Sequence, residues 1–321
     1  MSTMAVIATG PIGMALVAAA EDANVDVTLC GVRPAERLML ELDGRARRIE
    51  CRVVPDPEYA TPVDWVLQTQ PAVDRRWMSR LCQDSTAVVG IGTWAGRRRP
   101  RPTGNGHRYV PAIAHIDAEQ IAPGYVVHRS GRELALPAGS VARDLAAVFA
   151  PSWLQVCEEA DFLTASWKNL LDRVASEPIS AIACRRMGIM RDPHVRTLAT
   201  RLLTEAVAVG IAEGARLTTE DVDAALAAFE HFQEFDGTTM LSDRFAGRPL
   251  DFEAATGMIV RLGRVHGIPT QVNQGIYALL GAISPQQTDH RQEDDGDRDT
   301  SEELSYIPRA SRRPWDGAGS T

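Results

Sequence analysis

Short apolar runs alternate with helix-like stretches through the first third of the chain. An apolar strand from Met4 leads into a glycine turn that ends at Gly13, and a helical stretch from Met14 to Glu21 follows. Further strands are predicted at 25–30, 52–54, 64–68 and 87–91, with a helix around 73–82. Short strands alternating with helices predict a parallel sheet, and connection handedness makes it doubly wound, the Rossmann-type α/β fold.

The pattern changes after this sheet. Residues 107–136 predict a hairpin with its turn at Ser130-Gly131, which ends the first domain. From about Ser140 the apolar positions follow helical spacing, and one helix begins with threonines and carries Glu220 and Asp221 in its first turn. Predicted helices include 195–213, 219–234, 252–266 and 271–280. The expected organisation is a doubly wound domain over 1–139 and an all-α domain over 140–283.

The last segment, 284–321, has a different composition. Nine acids and five arginines stand among Ser, Gly, Gln and Pro, with few large apolar side chains to offset the entropy of ordering. A disordered polar tail is predicted here. It contributes −4 to the net charge of −8, so the acidity of the chain says little about its folded part.

Composition excludes several classes of partner. A net charge of −8 disfavours general affinity for nucleic acid or anionic membranes, which requires a clustered basic surface, and the arginines at 97–101 are interpreted as a solvated loop. The five cysteines and seven histidines show no metal-ligand spacing, so no metal is expected and reduced thiols in the cytoplasm fit best. The sequence has neither a signal peptide nor about 18 consecutive apolar residues, and is predicted to be neither secreted nor membrane-spanning.

One lysine, Lys168, stands among 34 basic residues. An arginine bias of this kind removes lysine wherever the two residues substitute at small cost. A lysine that remains can mark a site that needs an amine able to lose its proton, which guanidinium cannot do. Chance survival is the alternative interpretation from composition alone.

The turn after the first strand has the spacing of a dinucleotide-binding loop. It reads Ala8-x-Gly10-x-x-Gly13 and includes Pro11 and Ile12. At this place between a strand and a helix, backbone N–H groups can approach a pyrophosphate at the positive end of the helix. A plain structural turn is the alternative.

The end of the second strand indicates which dinucleotide binds. An acid at this place would bind a ribose 2′-hydroxyl, but the sequence continues to Arg33 and has no acid before Glu36. Arg33 is therefore the predicted clamp for a 2′-phosphate, and NADP(H) the predicted cofactor. An exposed Arg33 without a role is the alternative.

The segment Ser166-Trp167-Lys168-Asn169-Leu170, with the early glycine turn and the later stretches 238–243 and 266–273, resembles the ketopantoate reductase family over roughly residues 4–281. The resemblance implies reduction of a 2-keto group by NADPH, with a helix lysine that protonates the carbonyl oxygen. Lys168 falls on that position. An arriving hydride builds negative charge on the oxygen, and a positioned ammonium stabilises this charge and then donates a proton.

The resemblance also implies other site residues. Asp251 stands where the family has a glutamate near the reaction centre, and the neighbouring Glu253 is interpreted as a first-turn acid that stabilises a helix start. A substrate-contacting serine corresponds to Thr238 or Thr239. The cofactor-side positions are Gln70, in place of a lysine, and Thr93, in place of an Asn-Gly pair.

Lys168, Asp172 and Ser176 are spaced i, i+4, i+8 and are predicted on one helix face before Pro178 ends the helix. Asp172 and Ser176 stand where the family usually has two substrate-binding asparagines. An anionic Asp172 would repel the carboxylate of a 2-keto acid, which favours an amino ketone, an imine-like carbon or a bulkier carbonyl as substrate. A surface pair of Asp172 with Lys168 is the alternative.

Together these features predict an NADPH-dependent carbonyl reductase with a small-molecule substrate related to, but distinct from, ketopantoate. Genuine ketopantoate reduction and a catalytically silent nucleotide-binding protein are the alternatives. Neither nucleic acid nor membrane is expected as a partner, and a homodimer is left open.

Overall fold

A mixed sheet and a group of helices make up the described part of the protein. The computed structural model describes residues 2–8, 10–32, 37–69, 74–92, 95 and 108–285. The strands are β1 (Thr3–Ile7), β2 (Asp26–Cys30), β3 (Met39–Leu42), β4 (Arg45–Arg48), β5 (Arg52–Val54), β6 (Trp65–Gln68), β7 (Ala87–Ile91), β8 (Arg108–Ala122), β9 (Tyr125–Pro137) and β10 (Gln155–Glu159). The helices are α1 (Pro11–Asp22), α2 (Arg75–Leu81), α3 (Ser140–Phe149), α4 (Phe162–Val174), α5 (Ser176–Ala183), α6 (Pro193–Ala212), α7 (Thr219–His231), α8 (Thr239–Phe245), α9 (Met258–His266) and α10 (Gln271–Ile283).

The strand order β4-β3-β9-β8-β7-β6-β1-β2-β5 confirms the doubly wound sheet. The five strands from β7 to β5 in this order are parallel to one another. β2 lies on one side of β1 and β6 on the other, so the direction of winding reverses between β1 and β6. In sheets of this kind the ligand crevice lies beyond the carboxyl ends of the strands at the reversal point.

Buried side chains cover both faces of the sheet. Alternate residues of β1 point to opposite faces: Met4 and Val6 pack in one buried cluster with α1 and α3, and Ala5 and Ile7 pack in another with α2. Burial on both faces explains why these strands are continuous apolar runs without alternation.

The hairpin of β8 and β9 confirms the predicted pairing, but its predicted turn is wrong. The chain reverses at Pro123-Gly124, where Gly124 has a φ of +75°, and Ala122 pairs with Tyr125. Ser130 and Gly131 lie inside β9, at a bulge. Gly131 has a φ of +73°, and a Cβ there would lie 2.1 Å from the carbonyl oxygen of His115, so the glycine is required by a bulge and not by a turn.

One strand lies in the segment that was predicted to be all-α. β10 pairs in parallel with β9, and Val141, Leu145 and Phe149 of α3 pack in the same buried cluster as β1. The helix and strand after residue 139 therefore extend the sheet layer. The domain boundary itself stays a prediction, and the predicted disordered tail lies outside the described residues from 286 onward.

Helices α4 to α10 share a third buried cluster, which includes Trp167, Leu202 and Leu203. Ala95, four residues after β7, is fully buried and belongs to this cluster. Because Ala95 follows β7 closely in the chain, part of the helical core lies near the carboxyl end of this strand.

Candidate active site

The loop before α1 has room for an anion. Gly10 precedes the helix in an extended conformation, with φ −131° and ψ 178°, and a Cβ added there would meet no atom of a described residue within 4 Å. The first turn of α1 carries no acidic residue, and Pro11 occupies its first position. The N–H groups of this 12-residue helix therefore present a positive end suited to a pyrophosphate.

Gly13 lets α1 approach β1 closely. A Cβ at this position would lie 2.0 Å from the Cβ of Ala8, which is buried beside it. The same added atom would lie 3.5 Å from the hydroxyl oxygen of Thr69, just beyond β6. Alanine at position 8 and glycine at position 13 fit together, and they place the helix start at the reversal point of the sheet.

Three predicted cofactor residues, Arg33, Gln70 and Thr93, lie outside the described residues. The described end of β2 is buried at Cys30, and the chain then turns at Gly31, which has a φ of +80°. Val32 follows, so no acid stands on this stretch.

Lys168 lies on the exposed side of α4, whereas its neighbours Trp167 and Leu170 are buried. Its side chain is 55% exposed, and its Nζ lies 3.0 Å from Oδ1 of Asp221 on α7. Among the described residues, Asp221 is the acidic partner that lies within 4.0 Å of the Lys168 ammonium. The alternative surface pair between Lys168 and Asp172 is therefore wrong, because the ammonium turns to the neighbouring helix.

Asp221 is the site residue that the sequence did not reveal. As the third residue of α7 it forms a capping box with Thr218, whose backbone N–H donates to Oδ2 of Asp221 at 2.7 Å. Partial burial raises the pKa of Asp221, but the bonds from Thr218 and Lys168 outweigh this effect and hold the pKa below its usual range. The capping pattern was readable from the sequence, whereas the crossing of α4 and α7 that brings Lys168 to it was not.

Asp172 lies one turn after Lys168 and has a different environment. Its side chain is open to solvent and makes no ion pair within 4.0 Å with a described residue. Desolvation by the surrounding protein raises the pKa of Asp172, and the imidazole of His115 on β8 opposes this shift. The imidazole of His115 is thus the described charge that acts on the Asp172 carboxylate.

Other carboxylates lie along the same strand. The pKa of Asp117, two residues after His115, is raised by desolvation and by the nearby charge of Asp236, which follows α7, while Arg129 opposes the shift. The charge of Asp236, from the segment after α7, therefore acts on Asp117 of β8.

The helix that carries Lys168 ends earlier than predicted. α4 stops at Val174 and α5 begins at Ser176, because Pro178 lacks the N–H that would bond to Val174 and its ring clashes with that carbonyl group. Ser176 is buried, and its hydroxyl donates to the backbone oxygen of Asp172 at 2.7 Å. The hydroxyl thus links two helices, and its predicted contact with substrate stays untested.

The two threonines predicted to contact substrate have different surroundings. Thr238 precedes α8, and its hydroxyl oxygen accepts a bond from the backbone N–H of Leu241 at 3.1 Å and lies 2.8 Å from the hydroxyl oxygen of Ser180. Thr239 is exposed. Thr238 has a structural role as a helix cap, and Thr239 is the more accessible of the two.

Asp251 approaches α4 beside Arg173. The Glu177 carboxylate is the main cause of the raised pKa of Arg173, and the charge of Asp251 adds to it. Asp251 is exposed and makes no ion pair with Lys168 in the described chain. Glu253 begins the π-helical turn Glu253–Gly257 and accepts a bond from the hydroxyl of Tyr277 at 2.6 Å, in agreement with its interpretation as a first-turn acid.

The described residues offer an anion site at the start of α1 and an exposed ammonium on α4. A carbonyl group that reached both a bound nicotinamide and Lys168 could receive a hydride from the one and a proton from the other. Within the described ranges no three His, Cys, Asp or Glu side chains form a group that could hold a metal ion. No described helix is both long enough and apolar enough to cross a membrane.

Comparison with known proteins agrees with this geometry. The family model "Ketopantoate reductase PanE/ApbA C terminal" matches residues 161–284. The chain is 33% identical over 291 residues to 2-dehydropantoate 2-reductase from Caulobacter vibrioides, covering 88% of this chain and all of the relative. Two solved structures have the same fold. One is a dimeric ketopantoate reductase from Staphylococcus aureus, with a TM-score of 0.76, 22% identity, and coverage of 88% of this chain and 98% of that one. The other is D-mandelate dehydrogenase with NADH and anilino(oxo)acetate, with a TM-score of 0.77, 17% identity and the same coverage.

Proposed function

The chain belongs to the ketopantoate reductase family, and from this premise we propose that it is an NADPH-dependent reductase of a carbonyl substrate other than ketopantoate. The observation that carries the proposal is the placement of the only lysine of the chain. Lys168 stands exposed on α4, and the buried cluster that includes this helix also includes Ala95, which follows the carboxyl end of β7 in the chain. An amine in this position can give a proton as well as stabilise charge.

The residues around α1 support a dinucleotide as the cofactor. The open space at Gly10, the close approach at Gly13 and the absence of acid from the first turn suit a pyrophosphate. When bound, the reduced nicotinamide supplies the hydride. The end of β2 has no acid that would bind a ribose 2′-hydroxyl and continues to Arg33, which supports NADPH as the preferred form.

Lys168 and its surroundings handle the charge and the proton. As the carbonyl carbon gains the hydride, the oxygen becomes negative, and the ammonium of Lys168 stabilises it and donates a proton to give the alcohol. The neutral amine then regains a proton from water. Asp251, predicted from the resemblance as a second catalytic residue, is proposed to orient substrate hydroxyl groups from beside Arg173.

The negative charge of Asp172 favours a substrate that has no carboxylate next to its carbonyl group. Asp172 makes no ion pair with a described residue, and its negative charge one turn from Lys168 disfavours a 2-keto acid and favours a neutral or positively charged neighbour of the carbonyl. The D-mandelate dehydrogenase structure shares the fold and holds anilino(oxo)acetate, which has a carboxylate next to its carbonyl group, so the expected preference against a 2-keto acid rests on Asp172 and not on the fold.

We also propose a homodimer that works in the cytoplasm. The fold is shared with a dimeric ketopantoate reductase, and all five cysteines of this chain are free thiols. The mass of one chain is 34.9 kDa. If the dimer forms, light scattering of the purified protein would give twice this mass.

A substrate panel tests the proposed function. The purified protein is assayed with NADPH and with NADH against ketopantoate, its uncharged lactone and an α-amino ketone, and nucleotide binding is measured by calorimetry. The proposal expects turnover with NADPH that is at least about tenfold more efficient for the uncharged or cationic ketone than for the 2-keto acid. Preference for ketopantoate would indicate the genuine biosynthetic reductase instead. Nucleotide binding without turnover of any carbonyl would indicate a silent binding protein.

A further inference from the structure

We propose that Asp221 is a positioning residue for the proton donor, holding the ammonium of Lys168 in place on α4. The inference rests on the proposed function, since it presupposes that Lys168 protonates the substrate. Its basis is the 3.0 Å contact of Lys168 Nζ with Oδ1 of Asp221, made between two different helices.

The side chains of Lys168 and Asp221 differ in conformational freedom. The Lys168 side chain is 55% exposed, so without a partner its four-carbon stem could sample many rotamers, whereas Asp221 is 12% exposed and fixed. Oδ2 of Asp221 is already held by the backbone N–H of Thr218, which leaves Oδ1 for the lysine. The fixed carboxylate therefore selects one arrangement of a flexible donor.

The position of Asp221 relative to α4 is fixed by a second set of bonds. The backbone N–H of Arg216 donates to the hydroxyl of Thr164 at 2.8 Å, and the Arg216 side chain pairs with Asp161, the N-cap of α4. These contacts tie the start of α4 to the segment that leads into α7. The geometry between Lys168 and Asp221 is thus built into the crossing of the two helices.

The other charged groups near α4 interact with described residues other than Lys168 and Asp221. Asp172, on the same helix, makes no ion pair with a described residue and is influenced by the charge of His115, and the charge of Asp251 acts on Arg173. The charge that acts on Asp221 is that of Lys168. The remaining pairs around this core are Arg173 with Glu177, Arg216 with Asp161, Glu213 with His266, Glu253 with Tyr277, and Glu205 with the N–H groups that begin α10.

A positioning role explains how the donor is reset. During turnover one N–H of the ammonium stays on Asp221, while another points to the carbonyl oxygen and gives its proton to the alkoxide. The neutral amine then takes a proton from water, which restores the ammonium beside the carboxylate. Asp221 neither receives nor gives a proton in this cycle, because its pKa is held low and it stays ionised.

The test uses Asp221→Asn, which keeps the amide oxygen as acceptor for the Thr218 N–H and removes the charge. We expect kcat to fall about tenfold, with the KM of the carbonyl substrate and the Kd of NADPH changed less than twofold. The solvent deuterium isotope effect on kcat should increase, because proton transfer becomes slower. Asp221→Glu should recover part of the lost kcat.

Two controls separate positioning from folding and from the proposed function. Asp192→Ala removes the N-cap of α6, far along the chain from Lys168, and should lower Tm without altering kcat. Lys168→Ala should abolish turnover. An unchanged kcat and isotope effect in Asp221→Asn, while Lys168→Ala is inactive, would overturn the positioning role alone. An active Lys168→Ala would overturn the proposed function.

Discussion

At the scale of single residues, the unusual group is Asp172. It is an ionisable side chain that the fold partly desolvates without giving it a described ion-pair partner. Because its folded pKa is raised, the ionised form costs stability at neutral pH. A carboxylate kept at such a cost beside Lys168 is consistent with a role in choosing the substrate.

Asp172→Asn is expected to change substrate preference. Removal of the negative charge should raise kcat/KM for a 2-keto acid about fivefold, which corresponds to about 1 kcal/mol for a solvent-accessible charge interaction. It should lower kcat/KM for an α-amino ketone by a similar factor and leave an uncharged ketone unchanged. Asp223→Asn, an equal charge change at an exposed position of α7, serves as the control. Parallel changes for all three substrates would contradict a charge-based role.

The same variant should alter stability with a defined sign. The unfolded carboxyl loses its proton near pH 4, before the folded one, so the stability of the native protein falls as pH rises from there through the folded pKa. The Asp172→Asn variant has no carboxyl group at this position, so its stability does not fall for this reason as the pH rises. Urea unfolding should show the variant to be more stable than the native protein at pH 7 and equal to it below pH 4. A difference that is independent of pH would disprove the raised pKa.

At the residue level the sequence indicated a candidate proton donor but not its ion-pair partner. Lys168 is the proposed functional amine because it is the only lysine of the chain and lies in a family-like segment. Its partner could not, since Asp221 lies 53 positions later on a helix whose crossing with α4 depends on tertiary packing. The i, i+4 spacing suggested Asp172 instead, and this was wrong.

At the scale of elements, the junction of β1 and α1 has the tightest packing requirement. Gly13→Ala would place a methyl group on the Cβ of Ala8, so the helix must shift from the strand. We expect a loss of about 1–3 kcal/mol in unfolding free energy and weaker NADPH binding. Differential scanning calorimetry and titration of NADPH measure both effects.

A compensating change makes this prediction specific. In the double variant Ala8→Gly with Gly13→Ala, the clashing Cβ of residue 8 is gone, and most of the stability and affinity should return. Gly10→Ala is the matched control, because its Cβ meets no described atom; it should leave unfolding unchanged and weaken only the dinucleotide. No recovery in the double variant would show that another contact sets the spacing.

Elements were more predictable where a local signal was strong. The run at 87–91 and the helix start at Thr219 agree with β7 and α7, because buried apolar runs and capping boxes act locally. The predicted hairpin turn at Ser130-Gly131 was wrong, because a glycine in a bulge and a glycine in a turn both need a positive φ and look alike in the sequence. The β3–β4 hairpin was missed, although Asp43-Gly44, with φ values of +52° and +72°, is typical of a two-residue turn.

At the scale of the whole molecule, the proposed reaction needs two parts of the chain to act together. The proposed dinucleotide loop belongs to the sheet layer, and the proposed proton donor lies on a helix of the helical core, which Ala95 joins from beyond the end of β7. The fold class could be predicted because the period of the apolar positions changes between the two parts. The assignment of α3 and β10 to the sheet layer could not, since it depends on long-range pairing with β9.

Hydride transfer in a single turnover tests the central claim most directly. The protein is loaded with NADPH, mixed with its best carbonyl substrate, and the loss of absorbance at 340 nm is followed in the native protein, Lys168→Ala and Lys168→Arg. We predict that Lys168→Ala binds NADPH normally and transfers hydride at least about 100-fold more slowly. Lys168→Arg should remain nearly as slow, because guanidinium supplies charge but not a proton. Transfer at the native rate in Lys168→Ala would contradict the assignment of Lys168 as the proton donor.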